Sequence, residues 1–165
     1  MSRIVKRLAT TALAAAVAFI GITVLGVSPA SATTACHTNT RNVSLPGKPD
    51  VKFTVQLCVS GSGTYRHAQA YFSWSGSYGL IGGTRFNMVW LDVRLERYDA
   101  EKTYASSYYT ASVDAQYSGS VSIGATETGS LPSGGWTADG TLQYDVTDDG
   151  NSPYTWELYG SPVIS

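Results

Sequence analysis

The chain has 165 residues, a formal net charge of −1 and 14% charged side chains, enough for one domain with its own core and without the basic stripe that nucleic acid demands. It holds two histidines and two cysteines, and no G-x-S-x-G, H-E-x-x-H, C-x-x-C or phosphate-loop motif. No catalytic residue and no cofactor is therefore predicted.

The first 32 residues read as an address. Arg3, Lys6 and Arg7 form a basic start, Leu8 to Val27 an apolar run, and Ala30-Ser31-Ala32 a small-residue cleavage site. Together these are the signature of a secretory signal peptide. An apolar run of about 20 residues also suits a membrane span. Gly21, Gly26 and Pro29 weaken such a helix, and the cleavage site argues for release, so no stable membrane insertion is expected afterwards. The predicted mature protein, residues 33–165, is secreted and extracellular. Its Lys and Arg all precede residue 111, whereas residues 111–165 hold seven acids. That asymmetry reads either as ordinary solvated surface or as an acidic face for a basic partner or a metal.

Cys36 and Cys58 are the only cysteines, and in an exported chain they are expected to pair. Leu45-Pro46-Gly47-Lys48-Pro49 between them is a turn signal. Reversal about Gly47 places Cys36 opposite Cys58, as a cross-strand staple on a hairpin. The same register sets His37, Asn39 and Arg41 against Leu57, Val55 and Phe53. The second strand is amphipathic and the first is not, so residues 33–50 are expected as an edge strand or a tethered arm. The main domain is expected over residues 51–165.

Val51, Phe53, Val55, Leu57 and Val59 alternate with polar residues, the period of a half-buried strand. Ala68, Ala70, Phe72 and Trp74 do the same in the next one. A glycine-rich loop follows over residues 75–84, with Tyr78 and Leu80-Ile81 in it. Val89, Leu91, Val93 and Leu95 alternate with Trp90, Asp92, Arg94 and Glu96. Asp99-Ala100-Glu101-Lys102 is read as the turn into a second strand that runs on to Val113. Val121 and Ile123 are the apolar pegs of a Ser/Thr/Gly-rich stretch. Leu142, Tyr144 and Val146 pair with Tyr154, Trp156 and Leu158 across an Asp-Asp-Gly-Asn turn. With about seven or eight strands and no helix after the signal, the prediction is an all-β, antiparallel two-sheet β-sandwich, of jelly-roll or immunoglobulin-like type.

Aromatic residues are the strongest functional signal, with 11 Tyr and 4 Trp in the chain. Phe53, Phe72, Trp74 and Trp156 fall in the core phase. Trp90, Tyr104, Tyr108, Tyr78 and Tyr71 fall on the opposite face or in a loop, and Trp90, Tyr104 and Tyr108 form the candidate surface for flat ligands such as sugars, or for protein. Asp145, Thr147, Asp149 and Gly150 match the start of a calcium loop. The bidentate acid is missing, since Trp156 stands in its place, so Asp145 and Asp149 are read as part of a turn and no metal is predicted.

The Ala30-Ser31-Ala32 ending, the Cys36-His37-Thr38-Asn39-Thr40 stretch, Leu45-Pro46-Gly47-Lys48-Pro49-Asp50 and the strand through Cys58 resemble small secreted bacterial β-sandwich proteins of unassigned function. In plan the chain is similar to the adaptor subunit of secreted umbrella-shaped antibacterial toxin particles. That resemblance implies an N-terminal segment docking into a lectin-like partner while the β domain holds a larger subunit. It places the partner contact on residues 33–44, with His37, Thr38, Asn39, Thr40 and Arg41 as candidates. The leading expectation is a non-enzymatic adaptor that binds another secreted protein. A carbohydrate- or cell-wall-binding module using Trp90, Tyr104 and Tyr108 is the alternative, and a hydrolase ranks last.

Overall fold

The computed structural model describes residues 33–76 and 84–165. The signal-peptide assignment, together with Tyr78 and Leu80-Ile81, lies outside the described residues. Eight strands and one short helix follow in order: β1 (Thr33–Leu45), β2 (Lys48–Ser62), β3 (Tyr65–Gly76), β4 (Phe86–Arg97), β5 (Ala100–Tyr108), α1 (Thr110–Ala115), β6 (Ser118–Thr128), β7 (Trp136–Val146) and β8 (Tyr154–Glu157). They form two antiparallel four-stranded sheets, β1-β2-β3-β6 and β5-β4-β7-β8, packed face to face. The all-β sandwich is as the strand alternation requires.

The first hairpin shows how sequence sets register. Pro46 fixes its own φ, and Gly47 supplies the positive φ of 64° that the tight reversal needs. Cys36 then pairs with Cys58, and His37, Asn39 and Arg41 lie opposite Leu57, Val55 and Phe53. The two cysteines form a disulfide. β1 takes the edge-strand form of the two foreseen, fully zipped to β2, which itself begins at Lys48. The division at residue 50 thus falls inside a strand, and residues 33–50 belong to the sandwich.

The inner faces carry the core. Phe53, Val55, Leu57, Phe72, Phe86, Val89, Leu91, Val93, Leu95 and Leu142 are fully buried. Burying each such side chain contributes about 1.5–3 kcal/mol. Phe53 anchors an aromatic cluster, with Phe72, Phe86 and Tyr144 ring centroids 5.2, 5.3 and 5.8 Å away. β7 pairs with β8, Leu142 opposite Trp156 and Tyr144 opposite Tyr154, but Val146 lies opposite Phe86 of β4 and Leu158 falls past the end of β8, its N–H donating to Gly140 O.

Three expectations are corrected. The strand after the long hairpin ends at Tyr108, and residues 110–115 form α1, which buries Val113 against the core. Tyr109 N–H donates to Val89 O and Val89 N–H to Thr110 Oγ1, so this turn closes the β5 side of the sandwich locally. The hairpin turn itself is Tyr98-Asp99, not Asp99 to Lys102. Both residues have positive φ, 50° and 60°, matching the twist of the flanking strands without an Asn-Gly signal. Finally, among the described residues the helix-free expectation fails at α1, where Ala, Ser and Val occur in a run too short to show a helical period.

The opposite side of the sandwich is closed by side chains of β1. Buried Asn39 donates from Nδ2 to Tyr159 O at 3.0 Å and accepts at Oδ1 from Tyr159 N–H at 2.8 Å. Its amide behaves as one extra rung of backbone pairing between the two sheets. Beside it, Arg41 lies over the Trp156 ring at 4.8 Å and His37 meets Tyr159 edge-on.

Candidate functional site

The outer face of β5-β4-β7-β8 gathers the residues best suited to bind a ligand. Trp90 lies between Tyr108 on β5 and Gln143 on β7, Asp92 between Ser106 and Thr141, and Arg94 between Tyr104 and Asp139. Thr141 in turn faces Glu157 on β8. The period of two sends all of them outward because Val89, Leu91, Val93 and Leu95 point in. A shallow depression of about 320 Å³ is lined by Trp90, Asp92, Arg94, Glu101, Tyr104, Thr141, Gln143 and Glu157. Tyr104 and Tyr108 are 62% and 69% exposed, whereas Trp90 is half-buried.

Arg94 holds the centre. Its Nη1 contacts Asp92 Oδ1 at 3.2 Å, its Nε donates to Glu96 Oε1 at 3.1 Å, and its Nη2 lies 3.5 Å from Asp139 Oδ1. Thr141 donates its hydroxyl to Glu157 Oε2 at 2.9 Å. Asp92 is only 7% exposed. Burial raises its carboxyl above the usual range, Arg94 opposes this, and the negative charges of Glu101, Asp139 and Glu157 add to the rise. For Arg94, partial burial disfavours the cation, but the bond to Glu96 and the fields of Asp92 and Asp139 outweigh it and raise its pKa. The face therefore offers fixed donors and acceptors beside aromatic rings, in a network in which one guanidinium orients three carboxylates.

Of the sequence candidates, Trp90, Tyr104 and Tyr108 come together on this face. The β1 set does not form one surface. His37, Asn39 and Arg41 point toward the C-terminal segment, and Thr38 and Thr40 point to the outer face of the other sheet. Asp145 Oδ2 accepts from Asn87 Nδ2, and Asp149 accepts from Asn151 N–H and Tyr154 Oη–H. Among the described residues, no group of three or more His, Cys, Asp or Glu is placed to hold a metal ion. His67 bonds Thr126 on the far sheet, away from the depression.

Asp92, Arg94, Thr141, Gln143 and Glu157 were not singled out from the sequence as site residues. Asp92 and Arg94 carried the usable signal, sharing the wet phase of Trp90. The adjacency of β4 and β7, strands far apart in the chain, brings the others in. No family model matches the chain, and neither a curated protein nor a solved structure matches it.

Proposed function

We propose that the protein is a non-enzymatic carbohydrate-binding module that takes a saccharide on the outer face of β5-β4-β7-β8. One observation carries this reading: Trp90 and Tyr104 line a shallow depression with Asp92, Arg94, Thr141, Gln143 and Glu157, and exposed Tyr108 stands beside Trp90 on the neighbouring strand. A sugar presents an apolar ring face to an aromatic and hydroxyls to carboxylate, amide and guanidinium groups. The cores of protein interfaces are depleted in Asp and Glu, whereas Asp92, Glu96, Glu101, Asp139 and Glu157 crowd this one. Calorimetric titration of the secreted chain with soluble oligosaccharides tests it. Trp90→Ala and Tyr108→Ala should each weaken binding about tenfold, which is about 1.4 kcal/mol. Binding that both variants retain, or no saccharide bound at all, refutes it.

The second reading is a protein-binding adaptor. It is favoured by β1, a 13-residue strand paired to β2 on one side only. Such an edge, with Arg41 as its one charged side chain and that engaged with Trp156, can accept a partner's strand. Gel filtration of culture supernatant with mass spectrometry of co-eluting chains decides it. A reproducible partner supports the adaptor, and a lone species of mature mass opposes it.

A further inference from the structure

We propose that the outer face of β1-β2-β3-β6 is a second binding surface, built for an uncharged polysaccharide. Two rows of side chains cross all four strands in register: Thr38, Gln56, Tyr71 and Ser122, and beside them Thr40, Thr54, Ser73 and Ser120. A trough of about 420 Å³ runs along seven of them, all but Thr40. Strands repeat at about 4.8 Å, so hydroxyl and amide groups recur at that interval, a ladder suited to an extended chain more than to a compact ligand.

Charge identifies the ligand class. None of the eight side chains is charged at neutral pH, and the neighbouring Lys52 lies one row outside, toward the hairpin end. The opposite sheet, by contrast, crowds five carboxylates around one guanidinium. The trough is thus neutral across four strands, unlike the depression around Arg94. A charged polymer would lose hydration here and find no counter-charge. A protein interface would bring more than one aromatic and would favour Arg. A neutral chain of sugars has no charge to desolvate, and its hydroxyls can exchange water for the Thr, Ser and Gln groups of the trough.

Tyr71 supplies the platform. It is 45% exposed at the middle of the trough, and its hydroxyl donates to Gln69 Oε1 at 2.8 Å, which holds the ring in place. The Cys36–Cys58 disulfide occupies the next row on the same face and ties β1 to β2 beside the trough. The surface is thus rigid before the ligand arrives, which lowers the ordering cost of binding. This site is independent of the one around Trp90. A module with both would bridge two glycans from opposite sheets.

The test is a pull-down of the secreted chain on cellulose, insoluble β-1,3-glucan and mannan, with polygalacturonate as the charged control. At least one uncharged polymer should retain the protein equally at about 0.05 and about 0.5 M NaCl, because no ion pairs are involved. Tyr71→Ala and Ser73→Glu should each lower retention about tenfold, while Val163→Ala, exposed and outside both linings, leaves it intact. Ser120→Glu repeats the charge insertion on an exposed edge-strand position, so the test does not depend on one variant folding. Circular dichroism verifies each fold. Retention on no uncharged polymer overturns the proposal, as does retention abolished by Trp90→Ala and spared by Tyr71→Ala and the two Glu variants. Retention on polygalacturonate alone also overturns it.

Discussion

Replacing Asn39 by alanine removes a side chain that hydrogen-bonds to the backbone of the C-terminal segment as a strand would. Asn39 is 4% exposed and makes two bonds to Tyr159, at 3.0 and 2.8 Å. Each is worth about 1 kcal/mol net, and an orphaned buried partner costs about 1–3 kcal/mol. The Tyr159 side chain is open to solvent, so water replaces part of what is lost. The expected destabilisation is about 2 kcal/mol, below the full sum of those terms. In urea, the midpoint should fall while the m-value holds, because the same surface is exposed on unfolding. The Tyr159 amide should exchange with solvent faster in the variant than in the parent. Thr40→Ala, one residue along with its side chain outward, should lie within about 0.5 kcal/mol of the parent. An Asn39→Ala variant equally close to the parent would refute the latch.

Other consequences follow from single contacts. Breaking the Cys36–Cys58 bridge in a Cys36→Ala/Cys58→Ala variant should cost about 3 kcal/mol by loop-closure entropy for a separation of 22 residues, read from thermal unfolding; an unchanged midpoint would oppose this. Gly140→Ala should destabilise by about 2 kcal/mol or more, since an added Cβ would lie 2.5 Å from the Asp92 backbone oxygen, where neither strand can yield. A neutral result in urea would show that β4 and β7 are looser than this spacing. Asp92 should couple stability to pH. Burial raises its carboxyl, so the native state binds the proton more tightly than the unfolded chain. Its contribution to stability is therefore full below the ordinary carboxyl pKa and is lost as pH rises through the raised native one. Asp92→Asn should accordingly stabilise more at pH 7 than at pH 3, with Glu96 and Asp139 still holding Arg94, and an equal or reversed difference would count against it.

Much of this molecule is local, and local features are legible in a sequence. Pro46-Gly47 sets the first reversal, a strict period of two sets which side chains of β2, β3 and β4 are buried, and both together place Cys36 against Cys58. The hairpin of β7 and β8 is readable in the same way, because its turn and its two strands are contiguous. Trp90, Tyr104 and Tyr108 are legible as one face because each stands in the phase opposite the aliphatics of the β4–β5 hairpin. What the chain alone did not reveal depends on neighbours distant in sequence. Residues on β7 and β8 join Trp90 only because β7 packs beside β4, and no period encodes which strand adjoins which. The same limit hid the uncharged trough, which exists only once β1, β2, β3 and β6 lie side by side. It also hid the use of Asn39. From the sequence, a polar residue on the inward phase of an unusually polar strand reads as a contact left for a partner. In the folded protein that partner is the chain's own Tyr159 backbone, 120 residues on, because an inward amide at the sandwich edge must be satisfied and the C-terminal segment passes within reach.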